Sequence, residues 1–197
     1  MRPSAGVTVR PASSGFQAPH CACAARTSSS KSTRPAATDE DRYAAKVLGT
    51  IVGDDSGSRL YWDLIDSGLA EQASLGHYDY QGTGLFMTYM SCEPQAAAAN
   101  LARIDAIYRR VESEGVTDAE LAQAKSKINS RVVLSSERPR GRLFTVGGNW
   151  VQRREYRTMQ QDLVAIDAVT RADIAKVLER YPLSRHTTVA IGPLKSL

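Results

Sequence analysis

The apolar residues of this chain follow two different periods, and the order of those periods restricts the fold. AEQASLGHYDY and GTGLFMTYMSC, between residues 70 and 93, have the period of two that is typical of strands, and Gln81-Gly82 lies between the two runs. Such runs, joined by a short glycine-containing turn, are typical of an antiparallel hairpin. The second strand should place every other residue on one face, namely Phe86, Thr88, Met90 and Cys92.

Most of the remaining chain after residue 38 has helical periodicity instead. Thr117 and Glu120 have the spacing of a capping box, and Thr170 with Asp173 repeats it. The predicted helices cover about 39–53, a short second helix from Ser56, 94–114, 117–134, 141–166 with Gly147-Gly148 as a weak point, and 170–181. HTTVAIGP then returns as a strand. This order predicts an α+β fold, with a mostly antiparallel sheet covered on one face by helices.

The composition changes abruptly near Asp39. Residues 1–38 hold five basic residues and no acid, and they are rich in Ser, Ala, Arg, Thr and Pro without apolar periodicity. We therefore predict a disordered low-complexity tail at 1–38 and an α+β domain at 39–197. An organelle transit peptide, a displaced start site or an unrelated translated segment would have a similar composition.

Charge and hydropathy bear on the partners. The net charge of +4 comes from the tail, because residues 39–197 hold 20 basic and 21 acidic residues. A nucleic-acid partner is therefore not expected. The sequence has no apolar run near the roughly 18 residues of a membrane span and no secretory apolar region, so the cytoplasm is the expected compartment.

Candidate chemistry is sparse. His77 and His186 lack partners at ligand spacing, and the cluster at 20–23 (HCAC) is a poor metal site because it lies in the predicted tail. We expect neither catalytic nor metal-ligating residues in this chain. Asp54 and Asp55, which precede Ser56 and Ser58, are interpreted as caps of the next helix rather than as an acid–base pair or cation ligands.

Five segments, taken in order, resemble one family. VLGTIVGDDSGSRLYWDLIDSGLA is similar to its helix–Gly–SSRL–helix–GLA segment, GTGLFMTYMSCEP to the next strand and proline, and GVTDAELAQAKSKI to its G-V-T-x-x-E-L-x-x-A-K helix start. AIDAVTRADIAKVLERY and TVAIGP resemble its closing helix and strand. The chain thus resembles the C-terminal domain of the pitrilysin/insulinase-type zinc metallopeptidases, which include mitochondrial processing peptidase.

This resemblance implies a division of labour between two homologous halves of a clam-shell. An N-terminal half holds zinc through H-x-x-E-H and a distal Glu, while the C-terminal half closes the chamber and holds the peptide through an Arg and a Tyr in L-R-E-x-x-G-L-A-Y. Here the matching segment reads LIDSGLAE. Ile65 stands where the Arg would be and Glu71 where the Tyr would be, with one residue fewer between them. Gly57, Arg59, Gly68, Thr117 and Glu120 match structural positions of the motifs.

Two expectations follow from the resemblance. The family has a strand before the helix that begins near Asp39, and residues 1–38 offer no convincing strand, so we predict a sheet that lacks its first strand and has an exposed edge. Zinc is expected only in a partner or missing N-terminal half. The function implied is that of a non-zinc-binding half that supports proteolysis beside a zinc-bearing half or in a homo- or heterodimer. The alternatives are a non-catalytic structural or binding subunit, or a truncated remnant.

Overall fold

The molecule is a twisted five-stranded sheet with helices packed on one face. The structure, a computed structural model, describes residues 7–11, 21–27 and 35–193. The strands are β1 (Val7–Pro11), β2 (Cys21–Thr27), β3 (Gln72–Tyr80), β4 (Thr83–Cys92) and β5 (Thr187–Gly192). Their order is β1-β5-β2-β4-β3, and only the β1–β5 pair among them is parallel. The predicted α+β class with a mostly antiparallel sheet is confirmed.

The helices come after β2 in the chain and lie mainly between β4 and β5. They are α1 (Arg42–Gly53), a π-helical turn (Tyr61–Ile65), α2 (Ala97–Glu114), α3 (Asp118–Glu137), α4 (Pro139–Arg153), α5 (Met159–Asp167) and α6 (Arg171–Arg180), with a single 3-10 turn at Pro94–Ala96. The predicted continuous helix over 141–166 is wrong. The helix ends at Arg153, because Arg154 adopts a left-handed φ of 55°. Thr158 with Gln161 then forms a new capping box. Gly147 and Gly148 are inside α4, not at the break.

The prediction that residues 1–38 provide no strand is also wrong. β1 and β2 both lie in that segment, and β2 is a central strand that pairs with β4 on one side and β5 on the other. β1 is an edge strand, a position that tolerates Pro11 because an edge strand need not donate every N–H to the ladder. The sheet therefore does not lack its first strand. The predicted disorder of residues 1–6, 12–20 and 28–34 concerns residues outside the described part of the chain.

The core lies between the sheet and the helices. Phe86, Thr88, Met90 and Cys92, which were predicted to share one face of β4, are all buried, so this face points into the core. Tyr108 of α2 is fully buried and forms a hydrogen bond with Thr88. The opposite face of the sheet is more exposed, with Tyr78, Tyr80, Tyr89 and Ile191 on its surface. Among the described residues, no helix is both long and apolar enough to cross a membrane.

Candidate functional site

The segment from Ser58 to Glu71 is where the sequence places the candidate substrate-contacting residues, and its first turn is capped by a serine. The Ser58 hydroxyl accepts a hydrogen bond from the Tyr61 N–H at 3.1 Å and donates one to the Asp54 carbonyl at 2.7 Å. The backbone then forms a π-type turn, in which the Asp66 N–H donates to the Tyr61 carbonyl. Ser58 thus has the capping role that was predicted for the residues before it.

Asp54 has a different role from the predicted cap. Its carboxylate is buried and accepts from Lys127 Nζ at 2.9 Å and pairs with Arg131 at 2.6 Å, both from α3. Burial raises the pKa of Asp54, but the hydrogen bonds from these two cations outweigh it and lower the pKa. Asp54 therefore ties the end of α1 to α3. The sequence did not indicate this contact, because 73 residues separate Asp54 from Lys127.

Three of the predicted structural positions, Arg59, Thr117 and Glu120, meet at the start of α3. Arg59 binds Glu120 through two hydrogen bonds, at 2.7 and 3.0 Å, and donates a third to the Gly115 carbonyl at 2.9 Å. Glu120 also completes the capping box with Thr117. Arg59 thereby joins the candidate segment to the α2–α3 junction, and bidentate pairs of this kind are among the strongest polar contacts in proteins.

Two glycines permit the turns on either side of the π-helical turn. Gly57 and Gly68 have φ values of 63° and 70°, in the left-handed region that glycine occupies without a steric penalty. Gly68 donates its N–H to the Ile65 carbonyl at 3.0 Å, and this contact closes the turn that leads into β3. The segment between the two candidate contact residues is therefore bent back on itself.

Ile65 and Glu71 lie at the two ends of that bend. Ile65 is half-buried against the core, whereas Glu71 is exposed at the start of β3. The Glu71 N–H donates to the Ser91 carbonyl at 2.9 Å, and its carboxylate accepts from the Ser91 hydroxyl at 3.4 Å. Buried Asn100 donates to the Leu69 carbonyl at 2.7 Å and holds the bend from below. Hydrogen bonds thus hold the backbone of this bend in place. The side chains that it presents are the alkyl group of Ile65 and the carboxylate of Glu71.

The remaining candidate residues make structural contacts. His77 contacts the Pro35 carbonyl at 3.0 Å, and His186 contacts the Leu183 carbonyl at 3.1 Å and Asp105 at 3.3 Å. Among residues 7–11, 21–27 and 35–193, no group of three or more His, Cys, Asp or Glu side chains could hold a metal ion. In the 20–23 cluster, His20 lies outside the described residues. Trp150 of α4 is 53% exposed and does not belong to the core.

A cleft of about 510 Å³ lies between α1, β3, α3, α4 and α5, and the sequence did not predict it. Asp162 organises one wall, since it accepts from the Tyr43 hydroxyl at 2.7 Å and from Arg157 at 2.9 Å. Lys46 also lines the cleft; desolvation lowers its pKa, and Asp79 and Asp162 act in the opposite direction. The wall is a network of side chains that bind one another, and nothing in it pairs a nucleophile with a base.

The Arg59–Glu120 pair should make the stability of the fold depend on pH. Burial raises the pKa of Glu120, but hydrogen bonds from Arg59 and Thr117 outweigh it and lower the pKa from 4.5 to about 2. A carboxylate with a depressed folded-state pKa stabilises the fold above its unfolded pKa, and this contribution is lost as the pH falls from 4.5 toward 2. Glu120→Gln should lower the free energy of unfolding by about 2 kcal/mol at pH 7, after allowance for solvent screening.

Urea unfolding at several pH values measures this effect. Glutamine preserves the capping box, so the substitution tests the charge. The difference from the wild type should shrink below pH 4.5 and vanish near pH 2. Asp173→Asn is the matched control, because Asp173 caps α6 in the same way, with Thr170 as its partner and without a bidentate arginine. An equal loss in the two variants would contradict the importance of Arg59.

Comparisons with known proteins show the family to which this fold and this segment belong. The family profile described as the Peptidase M16 inactive domain matches residues 2–128, which include β1 and β2. The chain belongs to this family, the non-zinc-binding half of a family of zinc proteases. The resemblance inferred from the motifs is therefore confirmed, and the match does not stop at the predicted boundary between residues 38 and 39.

Individual relatives give the same result. The chain is 25% identical over 163 residues to an uncharacterized zinc protease of Mycobacterium leprae, covering 82% of this chain and 37% of the relative. It is 29% identical over 161 residues to one of Streptomyces coelicolor, covering 81% and 35%. An inactive peptidase domain from Bordetella parapertussis has the same fold, with a TM-score of 0.73, 18% identity and coverage of 96% and 94%. The chain spans just over a third of the length of these curated relatives.

Proposed function

We propose that this chain supports proteolysis together with a zinc-bearing half, and that it supplies a wall of the substrate chamber rather than the reacting groups. The proposal rests mainly on the match to the Peptidase M16 inactive domain, combined with the 35–37% of each zinc protease relative that the chain covers. Zinc and the water that it activates would belong to the partner half. The described residues of this chain offer no group that could hold the metal.

Ile65 and Glu71 favour a second candidate, a structural or binding subunit without a direct part in holding the substrate. The family positions that they occupy would carry an Arg and a Tyr, both hydrogen-bond donors toward a peptide carbonyl. An isoleucine donates no side-chain hydrogen bond, and an ionised glutamate only accepts. A half with these residues can still close the chamber, but it would contact the peptide through other groups.

Co-purification from the source organism distinguishes the two candidates. We expect the chain to be recovered with a protein that contains H-x-x-E-H, and we expect that pair to cleave unfolded peptides. Recovery with a partner that lacks this motif, in a complex without peptidase activity, would favour the structural subunit. Stoichiometric zinc in the purified chain alone, or peptide cleavage by it, would contradict both.

A further inference from the structure

Helix α4 carries its large apolar side chains on the side that faces solvent. Leu143, Phe144, Trp150 and Val151 are 68%, 66%, 53% and 62% exposed, and none of the 15 residues of α4 is buried. Their spacing of i, i+1, i+7 and i+8 places them on one face of the helix, and Gly147 lies between them. We call these five residues the α4 apolar stripe.

Two polar residues of α4 face the rest of the protein instead. Asn149 and Gln152 are half-buried and line the cleft described above, whose rim also includes Phe144 of the stripe. An amphipathic helix on the surface of a domain normally has the opposite orientation, with its apolar face toward the core. The arrangement in α4 leaves four large apolar side chains of one helix face exposed to water. Exposed apolar patches of this kind mark interaction sites.

The stripe is flat at its centre and basic at its border. An added Cβ at Gly147 would meet nothing within 4 Å, so no neighbouring element of the described chain covers that point. Arg140 lies over the Phe144 ring at 5.7 Å, and the sequence of α4 contains no acidic residue. A complementary partner would therefore present apolar side chains bordered by carboxylates.

We propose that the α4 apolar stripe is the surface on which the zinc-bearing half docks, through an apolar face with an acidic border. This inference rests on the proposed function. A basic amphipathic helix can also bind a membrane surface. The protein partner is favoured because 63–65% of each relative's length lies outside the match, and a homologous half of that polypeptide needs a surface on which to pack.

The test measures binding to a defined probe, namely the remainder of the Streptomyces coelicolor zinc protease beyond the stretch that this chain matches. Trp150→Ser combined with Val151→Ser should raise the dissociation constant at least about 30-fold. Both substitutions remove a large apolar side chain that would be buried at the centre of the interface. The matched control is Trp62→Ser combined with Val164→Ser, which removes the same residue types at 61% and 59% exposure elsewhere on the chain. The control should bind within about 3-fold of the wild type.

Thermal unfolding of both double variants should match the wild type, since all four residues are exposed. If the α4 variant binds as tightly as the wild type and the complex cleaves peptide, the docking surface is wrong and the proposed function stands. If the wild type does not bind the probe, both are overturned.

Two other outcomes would assign the α4 apolar stripe to a different partner. Vesicles of phosphatidylglycerol and phosphatidylcholine that bind the wild type but not the α4 variant, with binding of the zinc half unaffected, would assign the stripe to a membrane. A wild-type dimer that the α4 substitutions convert to a monomer, again with binding of the zinc half unaffected, would assign it to a second copy of this chain.

Discussion

A chain that begins at residue 39 should not fold into the native sheet. The deletion removes β2, which lies between β5 and β4 and pairs with both. Without it, β5 loses its connection to the β3–β4 hairpin, and an isolated two-stranded hairpin is at best marginally stable in water. We expect residues 39–197 to show no cooperative thermal transition by circular dichroism and poorly dispersed amide resonances.

A shorter deletion provides the control for this experiment. Removal of residues 1–6 leaves all five described strands in the chain. This variant should keep a cooperative transition within about 3 °C of the full chain. From its composition alone, the segment 1–38 would be a tail that the fold does not need. The pairing of β2 with β4 and β5 instead makes this segment necessary for the sheet. A cooperative transition of 39–197 at the temperature of the full chain would contradict the five-stranded sheet.

Gly53→Ala should destabilise the protein by about 3 kcal/mol, near the upper end of typical overpacking effects. Gly53 ends α1 where the helix lies directly on β3. A Cβ at this position would lie 2.0 Å from the Leu75 nitrogen, 2.4 Å from its Cβ and 2.6 Å from its Cα. Two of these atoms belong to the backbone of a paired strand, so α1 and the sheet would have to separate. Chemical denaturation of the purified variant measures the loss.

Gly147→Ala is the matched control for Gly53→Ala. An added Cβ at Gly147 meets nothing within 4 Å, and the position is inside a helix. Alanine there should stabilise the protein by about 0.5–1 kcal/mol through helix propensity. A loss of stability at Gly53 and a gain at Gly147 would show that packing determines the effect at the first position and helix propensity at the second. A Gly53→Ala variant as stable as the wild type would contradict the close approach of α1 to β3.

The sequence predicted the elements whose signals are local. The β3–β4 hairpin consists of two strand-like runs around Gln81-Gly82, and the capping boxes at Thr117 and Thr170 are encoded within four residues. Each could be recognised without knowledge of the rest of the chain. The sheet hydrogen bonds of β2 are not local. CACAART has no alternation of large apolar and polar residues, and β2 is placed by pairing with strands about 65 and 165 residues later.

The candidate site was predictable to the same extent. Motif resemblance pointed to Arg59 and Glu120, and the structure brings them together although 61 residues separate them. The motif resemblance did not reveal the pairing of Asp54 with α3, since a carboxylate beside a serine is equally compatible with a helix cap. The sequence also did not reveal the orientation of α4. Periodicity predicts that a helix has an apolar face, but not whether that face meets its own core or another protein.

Peptide cleavage by separately purified components tests whether this chain supports proteolysis. The initial rate with an unfolded fluorogenic peptide would be measured for this chain, for the remainder of the Streptomyces coelicolor zinc protease beyond the matched stretch, and for their mixture. We expect a baseline rate for this chain alone. The rate of the mixture should rise with added chain, saturate at an equimolar ratio and be abolished by chelation of zinc. A mixture no faster than the Streptomyces coelicolor part alone, although the two bind, would contradict the proposed function.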